Sequence, residues 1–474
     1  MTDPLDRLRS EGDVNLSPRR RAWAVGHIGP EAQAMLDADA ERFLHQSLST
    51  PCLNVLAKAE GAWIEDIEGR RYLDFHGNNV HQVGFSHPRV IAAIKQQLDT
   101  LSFCTRRYTC EPAVELAGRL AEIAPGDLDR VLFAPGGTSA IGMALKLARI
   151  ATGRFKTVSM WDSFHGASLD AISIGGEAVF RQGIGPLLPG CEHVPPPEPH
   201  RCPFKCGHSC SLACADYIEY VLEKEGDVAA VIGETVRCTP FIPPADYWKR
   251  VRAACDKHGA LLILDEIPIG LGRTGKMFAC EHYDVVPDML VLGKGLGGGV
   301  FPIAALLARE GLNVATKTAL GHYTHEKNPV ACAAGIATLD VIRDEDLVGN
   351  AARLGDIALA KMTEMKSRHP LIGDIRGKGL LMGIELRRPV AAEVTRRTAT
   401  MGPAVPPPHV GGYVPATDEA EQVMYGALSR GLNFKVTMGT ILTLTPALTL
   451  TEAELDQALA ILDVCIGEVE AKTL

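Results

Sequence analysis

The sequence predicts an α/β protein with a mainly parallel sheet in a large domain and a smaller α+β domain. Short apolar runs alternate with segments of helical apolar spacing between about residues 78 and 340, a pattern typical of parallel strands joined by right-handed crossovers. The glycine-rich stretch Phe133–Ser139 leads from a strand-like run into helical spacing. We therefore expect an N-terminal segment 1–77 that joins the small domain, a large domain 78–340, and a C-terminal small domain 341–474.

The two ends of the chain supply the predicted small domain. Apolar alternation from Gly61 to Phe75, interrupted by Glu68-Gly69, predicts a hairpin. After residue 341, the pattern predicts a helix, a strand over Gly379–Leu386 and a closing helix over Glu452–Glu468.

Two predicted strands of the large domain end in charged residues. The apolar run Leu261–Leu264 delivers Asp265, and the run Met289–Leu292 is followed by Lys294. Open α/β sheets place ligands at these carboxyl ends. A buried lysine can form an imine with pyridoxal phosphate, and a buried carboxylate can keep the pyridine nitrogen protonated. Taken alone, the two segments also fit an exposed lysine and a strand-end aspartate in a nucleotide-binding sheet.

The turn after residue 133 predicts an anion site. Gly136 and Gly137 let the backbone approach a ligand closely, and Thr138 adds a hydroxyl and an N–H at a helix N-terminus. Such a turn is also a common plain connection. Phe164, in Asp162–Gly166, offers a flat apolar surface for a planar ring, or else fills the core.

Composition narrows the class of protein. The chain has 474 residues, 46% apolar content and a net charge of −9, which favours a large enzyme-sized fold over a nucleic-acid binder. No apolar run reaches the length of a membrane span, and the polar N-terminus lacks the apolar core of a signal peptide. We expect a cytoplasmic protein with reduced cysteines and with no nucleic-acid or membrane partner.

One cysteine-rich segment stands apart. Cys202, Cys206, Cys210 and Cys214 recur every four residues. Zinc sites usually have two cysteines separated by two residues, and Pro203 argues against one continuous helix. We expect a metal-free, compact loop with buried thiols, and structural zinc is the alternative.

The order of these motifs resembles the class III, ornithine-type, pyridoxal phosphate aminotransferases of fold type I. The resemblance runs from about Tyr72 to about Leu450, and its motifs are specific. It is carried by the phosphate turn, Phe164-His165-Gly166, Gly233-Glu234, Asp265–Gly275, Lys294 and Thr324–Pro329.

The resemblance implies pyridoxal 5'-phosphate as cofactor and assigns the site residues. Lys294 and Asp265 are the implied catalytic residues, as the Schiff-base lysine and the partner of the pyridine nitrogen. Thr324 is implied to reach the phosphate of the neighbouring subunit, which predicts a homodimer with shared active sites. The cofactor-binding set comprises Gly137, Thr138, Phe164, Glu234, Asp265, Ile267, Lys294 and Thr324, with Ile267 packing on the ring face opposite Phe164.

One departure from the family bears on the substrate. Many members carry an arginine near the C-terminus that binds the α-carboxylate of amino and keto acids. This chain has Thr443 at that place, in the stretch Ile441–Leu448. The loss of a bidentate clamp weakens keto-acid binding by about 2–4 kcal/mol. Pro268 replaces the usual glutamine, and His325-Glu326-Lys327 replaces Phe-Gly-Gly.

Two further segments resemble a branch of the family formed by lyases of phosphate- or phosphonate-bearing amines. Asn78–Gly84 is similar to the Asn-Asn-Val-x-x-Val-Gly stretch of amino-alcohol phosphate phospho-lyases, and Arg107-Tyr108 stands where they have an Arg-Tyr pair. A dianionic phosphonate needs cations and amides. The candidate substrate-binding residues are Asn79, Arg107 and Lys435, with Arg106 and Lys327 as further cations.

We therefore expect a β-elimination on a small amino-phosphonate that releases ammonia without a keto acid. His325 is a candidate acid for the departing hydroxide, although a lone histidine is more often structural. The alternatives are an ω-aminotransferase, a phospho-lyase that releases inorganic phosphate, and a non-enzymatic metal-bound module built on Cys202–Cys214.

Overall fold

The computed structural model describes residues 17–46, 49–199, 202–204, 206, 210–389 and 413–473. Contacts divide the chain into two compact units. The central unit is Asn78–Ala352, and the terminal unit combines Met1–Gly77 with Arg353–Leu474. The central unit thus ends twelve residues after the boundary expected at residue 340, which falls inside the helix Pro329–Asp344.

The described strands and helices follow one another along the whole chain. The strands are β1 (Leu56–Glu60), β2 (Trp63–Asp66), β3 (Arg71–Asp74), β4 (Arg130–Ala134), β5 (Lys156–Met160), β6 (Cys191–Val194), β7 (Val228–Glu234), β8 (Leu261–Asp265), β9 (Met289–Leu292), β10 (Ala304–Ala308), β11 (Ile372–Lys378), β12 (Leu381–Pro389), β13 (Tyr413–Pro415), β14 (Leu432–Asn433), β15 (Lys435–Thr437) and β16 (Ile441–Leu444). The α-helices are Pro18–His27, Pro30–Arg42, Pro88–Thr100, Glu111–Ile123, Gly137–Thr152, Leu169–Ile174, Ala178–Arg181, Ala213–Glu225, Tyr247–His258, Pro329–Asp344, Leu347–Arg368, Thr417–Leu428 and Glu452–Thr473. Within these described ranges, no helix has both the length and the apolar content needed to cross a bilayer.

A seven-stranded sheet organises the central unit. Its order is β4-β10-β9-β8-β7-β5-β6. Strand β10 runs antiparallel to both of its neighbours, and the other pairings are parallel. The mainly parallel sheet predicted from the sequence is confirmed. Every residue of β7, β9 and β10 is buried, as expected for strands covered on both faces.

The sheet register brings the predicted strand ends together. Glu234, the last residue of β7, is the register partner of Asp265, the last residue of β8. Asp265 in turn pairs with Val291 of β9, three residues before Lys294. Neighbouring parallel strands therefore deliver these three side chains to one edge of the sheet.

The terminal unit contains two smaller sheets. One has the order β1-β2-β3-β14, in which β2 and β3 form the predicted hairpin with Trp63 opposite Leu73. Gly69, at the turn, has a φ of 81°, which favours glycine. The other sheet has the order β11-β12-β16-β15, with β13 paired to β12. The predicted strand near Gly379 corresponds to β12, and the closing helix extends to Thr473.

Candidate active site

Asp265 is bound to a histidine that lies far away in the sequence. Its side chain is buried, and its Oδ2 lies 2.8 Å from Nδ1 of His165. The backbone N–H of Ile267 donates to the other oxygen, Oδ1, at 3.0 Å. Because an ionised carboxylate only accepts hydrogen bonds, His165 donates through Nδ1. Its Nε2 is buried without a hydrogen-bond partner among the described residues. The imidazole therefore fixes the orientation of the carboxylate.

Glu234 lies beside this pair in a fully buried position. Burial raises the pKa of its carboxyl group, and the neighbouring Asp265 adds to the effect, whereas Arg237 and His165 oppose it. Arg237 is itself buried, with Nε 3.4 Å from Glu234 Oε2 and Nη2 3.1 Å from Glu177 Oε2. The backbone N–H of Phe164 lies 3.5 Å from Glu234 Oε2. Glu234 thus lies close both to the segment that contains Phe164 and His165 and to the buried ion pair of Arg237 with Glu177.

Lys294 begins a tight turn after β9. Its φ is 44°, a left-handed value that costs a non-glycine residue about 1–3 kcal/mol, and the 3-10 turn Lys294–Gly297 follows. A side chain at Gly295 would overlap the amide of Gln82. A Cβ at Gly299 would lie 3.1 Å from the carbonyl oxygen of Val80. The stretch that contains Asn79 therefore packs against the turn that presents the lysine.

The predicted phosphate turn is the N-terminus of the helix Gly137–Thr152. No described side chain caps this end, so the first-turn amides and the helix dipole face outward for an anion. A Cβ at Gly137 would lie 2.8 Å from Cδ1 of Ile267. The Thr138 hydroxyl lies 2.7 Å from the Ser168 hydroxyl. Gly166 has a φ of 126°, and a Cβ there would lie 2.6 Å from Cβ of Thr138.

Ile267 lies between the phosphate turn and the lysine turn. It is 8% exposed, and a Cβ at Gly293 would lie 3.2 Å from its Cγ2. Phe164 is half-buried, and its ring centroid is 4.5 Å from that of Phe180. Both residues lie on segments that border Asp265.

The predicted substrate-binding residues have different surroundings. Asn79 is buried with a φ of 58°, and its Oδ1 has no partner within the described ranges. Arg107 is exposed, on a turn where the neighbouring Arg106 places Nη2 2.7 Å from Nε2 of His322. Thr324 is exposed in the loop after His322.

The remaining candidate, Lys435, lies in the terminal unit on β15, in register with Thr443 of β16. Thr443 is buried, and its hydroxyl lies 2.7 Å from the Thr437 hydroxyl. Thr443, where the sequence resemblance implies that related proteins have an arginine, therefore has a short, neutral and already hydrogen-bonded side chain. His325, the candidate acid, is exposed, and its Nδ1 lies 3.3 Å from Nδ2 of Asn328.

The donor set of the central unit fits pyridoxal phosphate. Lys294 supplies an amine, Asp265 a buried carboxylate held by His165, and Gly137 an uncapped helix N-terminus without a side chain. These groups match the carbonyl, the pyridine nitrogen and the phosphate of that cofactor. Within the described ranges, no group of three or more His, Cys, Asp or Glu side chains is placed to hold a metal ion.

Sequence reasoning did not assign roles to two buried polar residues. His165 belongs to a predicted motif, but only Phe164 received a role there. Glu266 accepts hydrogen bonds from Thr235 Oγ1 at 2.9 Å and from the backbone of Ala279 and Cys280 at 2.7 Å. Burial raises the pKa of Glu266 to about 7. The acidic pair Asp265-Glu266 at the end of the apolar strand β8 was the available signal.

Comparison with known proteins identifies the family. The family described as aminotransferase class-III matches residues 45–466. The chain belongs to this family, whose members are pyridoxal phosphate enzymes of fold type I, so the predicted fold class is confirmed.

Two curated relatives and one solved structure are similar to this chain over most of its length. The chain is 48% identical to (R)-1-hydroxy-2-aminoethylphosphonate ammonia-lyase of Vibrio splendidus, over 98% of this chain and 96% of that protein. It is 37% identical to leucine/methionine racemase of Thermococcus litoralis, over 88% of this chain and 91% of the relative. A crystal structure of a Bacillus anthracis aminotransferase covers 93% of this chain and 100% of its own, with a TM-score of 0.80 and 30% identity.

Proposed function

We propose that this protein is a pyridoxal phosphate-dependent ammonia-lyase that converts (R)-1-hydroxy-2-aminoethylphosphonate to phosphonoacetaldehyde and ammonia. The relative from Vibrio splendidus, which carries that name, supports the proposal through 48% identity over almost the full length of both chains. The other relatives include racemases and aminotransferases, so family membership alone does not choose the reaction.

The observation that carries the choice is Thr443. A transaminase must bind a keto acid in its second half-reaction, and a bidentate arginine serves that carboxylate best. Here a buried threonine occupies the position and bonds to Thr437 at 2.7 Å. Exchange of a guanidinium for this neutral side chain removes about 2–4 kcal/mol of carboxylate binding. A reaction that needs no keto acid is compatible with that loss.

The cofactor, when bound, supplies an electron sink for the carbon that loses a proton. Lys294 would bind the cofactor carbonyl covalently at rest, and its freed Nζ would then accept the proton from the nitrogen-bearing carbon of the substrate. Asp265 would hold the proton on the pyridine nitrogen, and His165 Nδ1 would keep that carboxylate in place. The amides at Gly137 and Thr138 would hold the phosphate.

The substrate end of the site is the less constrained part of the proposal. Asn79 and Arg107 of the central unit would supply an amide and a cation to the phosphonate dianion. Lys435 is the third residue that the sequence predicts to bind the substrate. Phe164 and Ile267 would pack on the two faces of the cofactor ring, near Glu234. Loss of the hydroxyl with a proton, as water, would give an enamine, whose hydrolysis would yield the aldehyde and ammonia.

A dimer would complete the site. Thr324 lies on an exposed loop, and we propose that it reaches the phosphate in the neighbouring subunit of a homodimer. The small-molecule substrate, the sequence-based expectation of a cytoplasmic protein and the expected absence of nucleic-acid or membrane partners belong to the same proposal.

The decisive experiment omits any amino-group acceptor. Purified enzyme with bound cofactor is incubated with (R)-1-hydroxy-2-aminoethylphosphonate alone, and ammonia and phosphonoacetaldehyde are measured over time. Equal amounts of the two products over many turnovers are expected, and Lys294→Ala serves as the inactive control.

The alternative outcomes identify the other candidates. Several solved neighbours are ω-transaminases, including one from Thermomicrobium roseum at 28% identity and a TM-score of 0.81. Reaction that stops after one turnover and resumes on addition of pyruvate or 2-oxoglutarate would replace the lyase by an ω-aminotransferase. Release of inorganic phosphate would indicate a phospho-lyase.

A further inference from the structure

The cysteine-rich segment between β6 and the helix Ala213–Glu225 brings two thiols together. The Sγ atoms of Cys202 and Cys206 are 3.7 Å apart. This approach does not arise from helical spacing, because Cys202, Cys206 and the described residues between them are not helical. Leu212, immediately before the helix, has a φ of 61°. The two thiols are therefore in contact outside any described helix.

The thiols of this segment differ in their surroundings. Cys206 Sγ lies 3.3 Å from Ser211 Oγ, and hydrogen bonds from the Ser211 side chain and backbone lower the pKa of the Cys206 thiol to about 7. Cys214 is buried on the helix, where desolvation and the neighbouring thiols of Cys210 and Cys202 raise its pKa to about 12. Cys210 is exposed. Because the thiolate is the nucleophile in disulfide exchange, these surroundings favour Cys206 over Cys214 as the attacking thiol.

We propose that Cys206 is a thiol-exchange site for small-molecule disulfides and that Cys202 is its resolving cysteine. The proposal does not depend on the lyase activity. The Cys206 thiolate attacks one sulfur of the small disulfide, so that a mixed disulfide forms and one small thiolate leaves. Cys202 then loses its proton to solvent and attacks the Cys206 sulfur, which expels the second thiolate. The protein loses two hydrogens, and the small disulfide is reduced to two thiols.

The geometry distinguishes Cys202 from the other thiols as the resolving group. Cys202 is buried next to Cys206 at 3.7 Å, about 1.7 Å beyond the length of a disulfide bond. Cys214 is the poorer second nucleophile because its thiol stays protonated at neutral pH. A structural zinc site would use the same sulfurs as ligands, and a metal ion would make them unavailable for exchange.

The test uses the full-length enzyme with its cofactor. After reduction and removal of the reductant, the protein is incubated with oxidised glutathione at neutral pH and analysed by intact-mass and peptide mass spectrometry. Wild type should lose two hydrogens, and the new bond should map to Cys202 and Cys206. Cys202→Ser should retain one glutathione on Cys206, because the resolving thiol is absent. Cys206→Ser should form neither product.

Cys210→Ser removes an exposed thiol from the same segment. This variant should still form the bond between Cys202 and Cys206, but more slowly than wild type, because the Cys210 side chain contributes to the lowered pKa of the Cys206 thiol. The proposal fails if Cys206→Ser still forms an internal disulfide at the wild-type rate. It also fails if glutathione is recovered mainly on Cys210. Stoichiometric zinc in the untreated protein, measured by elemental analysis and lost in Cys206→Ser, would overturn it by assigning the sulfurs to a metal site.

Discussion

His165 and Asp265 are hydrogen-bonded side chain to side chain at 2.8 Å, although 100 residues separate them. The second carboxylate oxygen is held by the N–H of Ile267 at 3.0 Å. Both oxygens are therefore oriented by neighbours, and the side chain is buried. Preorganised charge of this kind acts strongly in a low-dielectric site, because it needs no reorganisation during the reaction.

Replacement of Asp265 by Asn should lower kcat by several orders of magnitude. The amide keeps the size of the side chain but cannot hold a positive charge on the pyridine nitrogen. Steady-state kinetics with a saturating amino-phosphonate measure the loss, and Asp129→Asn, at an exposed acid of the same unit, is the control. A loss below about tenfold, or ~1.4 kcal/mol, would assign this role to another carboxylate.

His165→Asn should lower kcat by about tenfold to a hundredfold, which is less than the effect of the Asp265 variant. His165 is a positioning residue, and removal of the group that orients a metal ligand has effects of this size in metal sites. The absorbance of the bound cofactor should change its pH dependence in the variant, because the charge on Asp265 is no longer held in place. A variant with altered kcat and an unchanged spectroscopic titration would indicate a structural role only.

Lys294→Ala should abolish turnover while the protein stays folded. Its amine is needed both for covalent attachment of the cofactor and for proton transfer at the substrate carbon. Rapid-quench assays would measure turnover, and circular dichroism would measure whether the variant is folded. Turnover near the wild-type rate in the purified variant would contradict the assignment.

Arg107→Ala should raise KM by an amount equivalent to about 2–4 kcal/mol and leave kcat little changed. The guanidinium is exposed in the isolated chain, and a direct pair with a phosphonate gives uniform binding of substrate and transition state. Arg89→Ala removes an exposed arginine paired with Asp344 at 2.8 Å and is the matched control. Equal KM values for the two variants would remove Arg107 from the substrate site.

Glu266 should make the stability of the protein depend on pH. Burial raises the pKa of the Glu266 carboxyl group from 4.5 to about 7 in the folded state. The contribution of this shift to the free energy of unfolding is therefore complete below about pH 4.5, and it is lost as the pH rises through 7. Wild type should lose stability relative to Glu266→Gln across this window, by at most about 3 kcal/mol. Urea unfolding at pH 5, 6, 7 and 8 measures the difference. A difference that is constant with pH would contradict the prediction.

The sequence predicted the elements that present the site because their signals are local. The apolar runs before Asp265 and Lys294 correspond to β8 and β9, and the glycine-rich turn corresponds to the start of the helix Gly137–Thr152. Register between neighbouring parallel strands then follows from the fold class. Glu234 and Asp265 became partners through that register.

Other contacts depend on how separate segments pack, so no local sequence pattern predicted them. The bond between His165 and Asp265 joins a loop to a strand end. Pro203 indicated that Cys202 and Cys206 would not share one continuous helix, but no local pattern predicted that these two thiols would be in contact. The role of Thr324 depends on a second subunit, so it remains a proposal.

The close packing of Gly137 against Ile267 and of Gly166 against Thr138 limits which positions of this enzyme can be substituted. Any side chain at Gly137 or Gly166 would come within 3 Å of a neighbour, so substitution there should abolish cofactor retention and give no new specificity. The exposed turn at Arg107 and the loop at Thr324 are not packed in this way. Libraries aimed at amines with other anionic groups should therefore vary those two loops and keep the glycines constant.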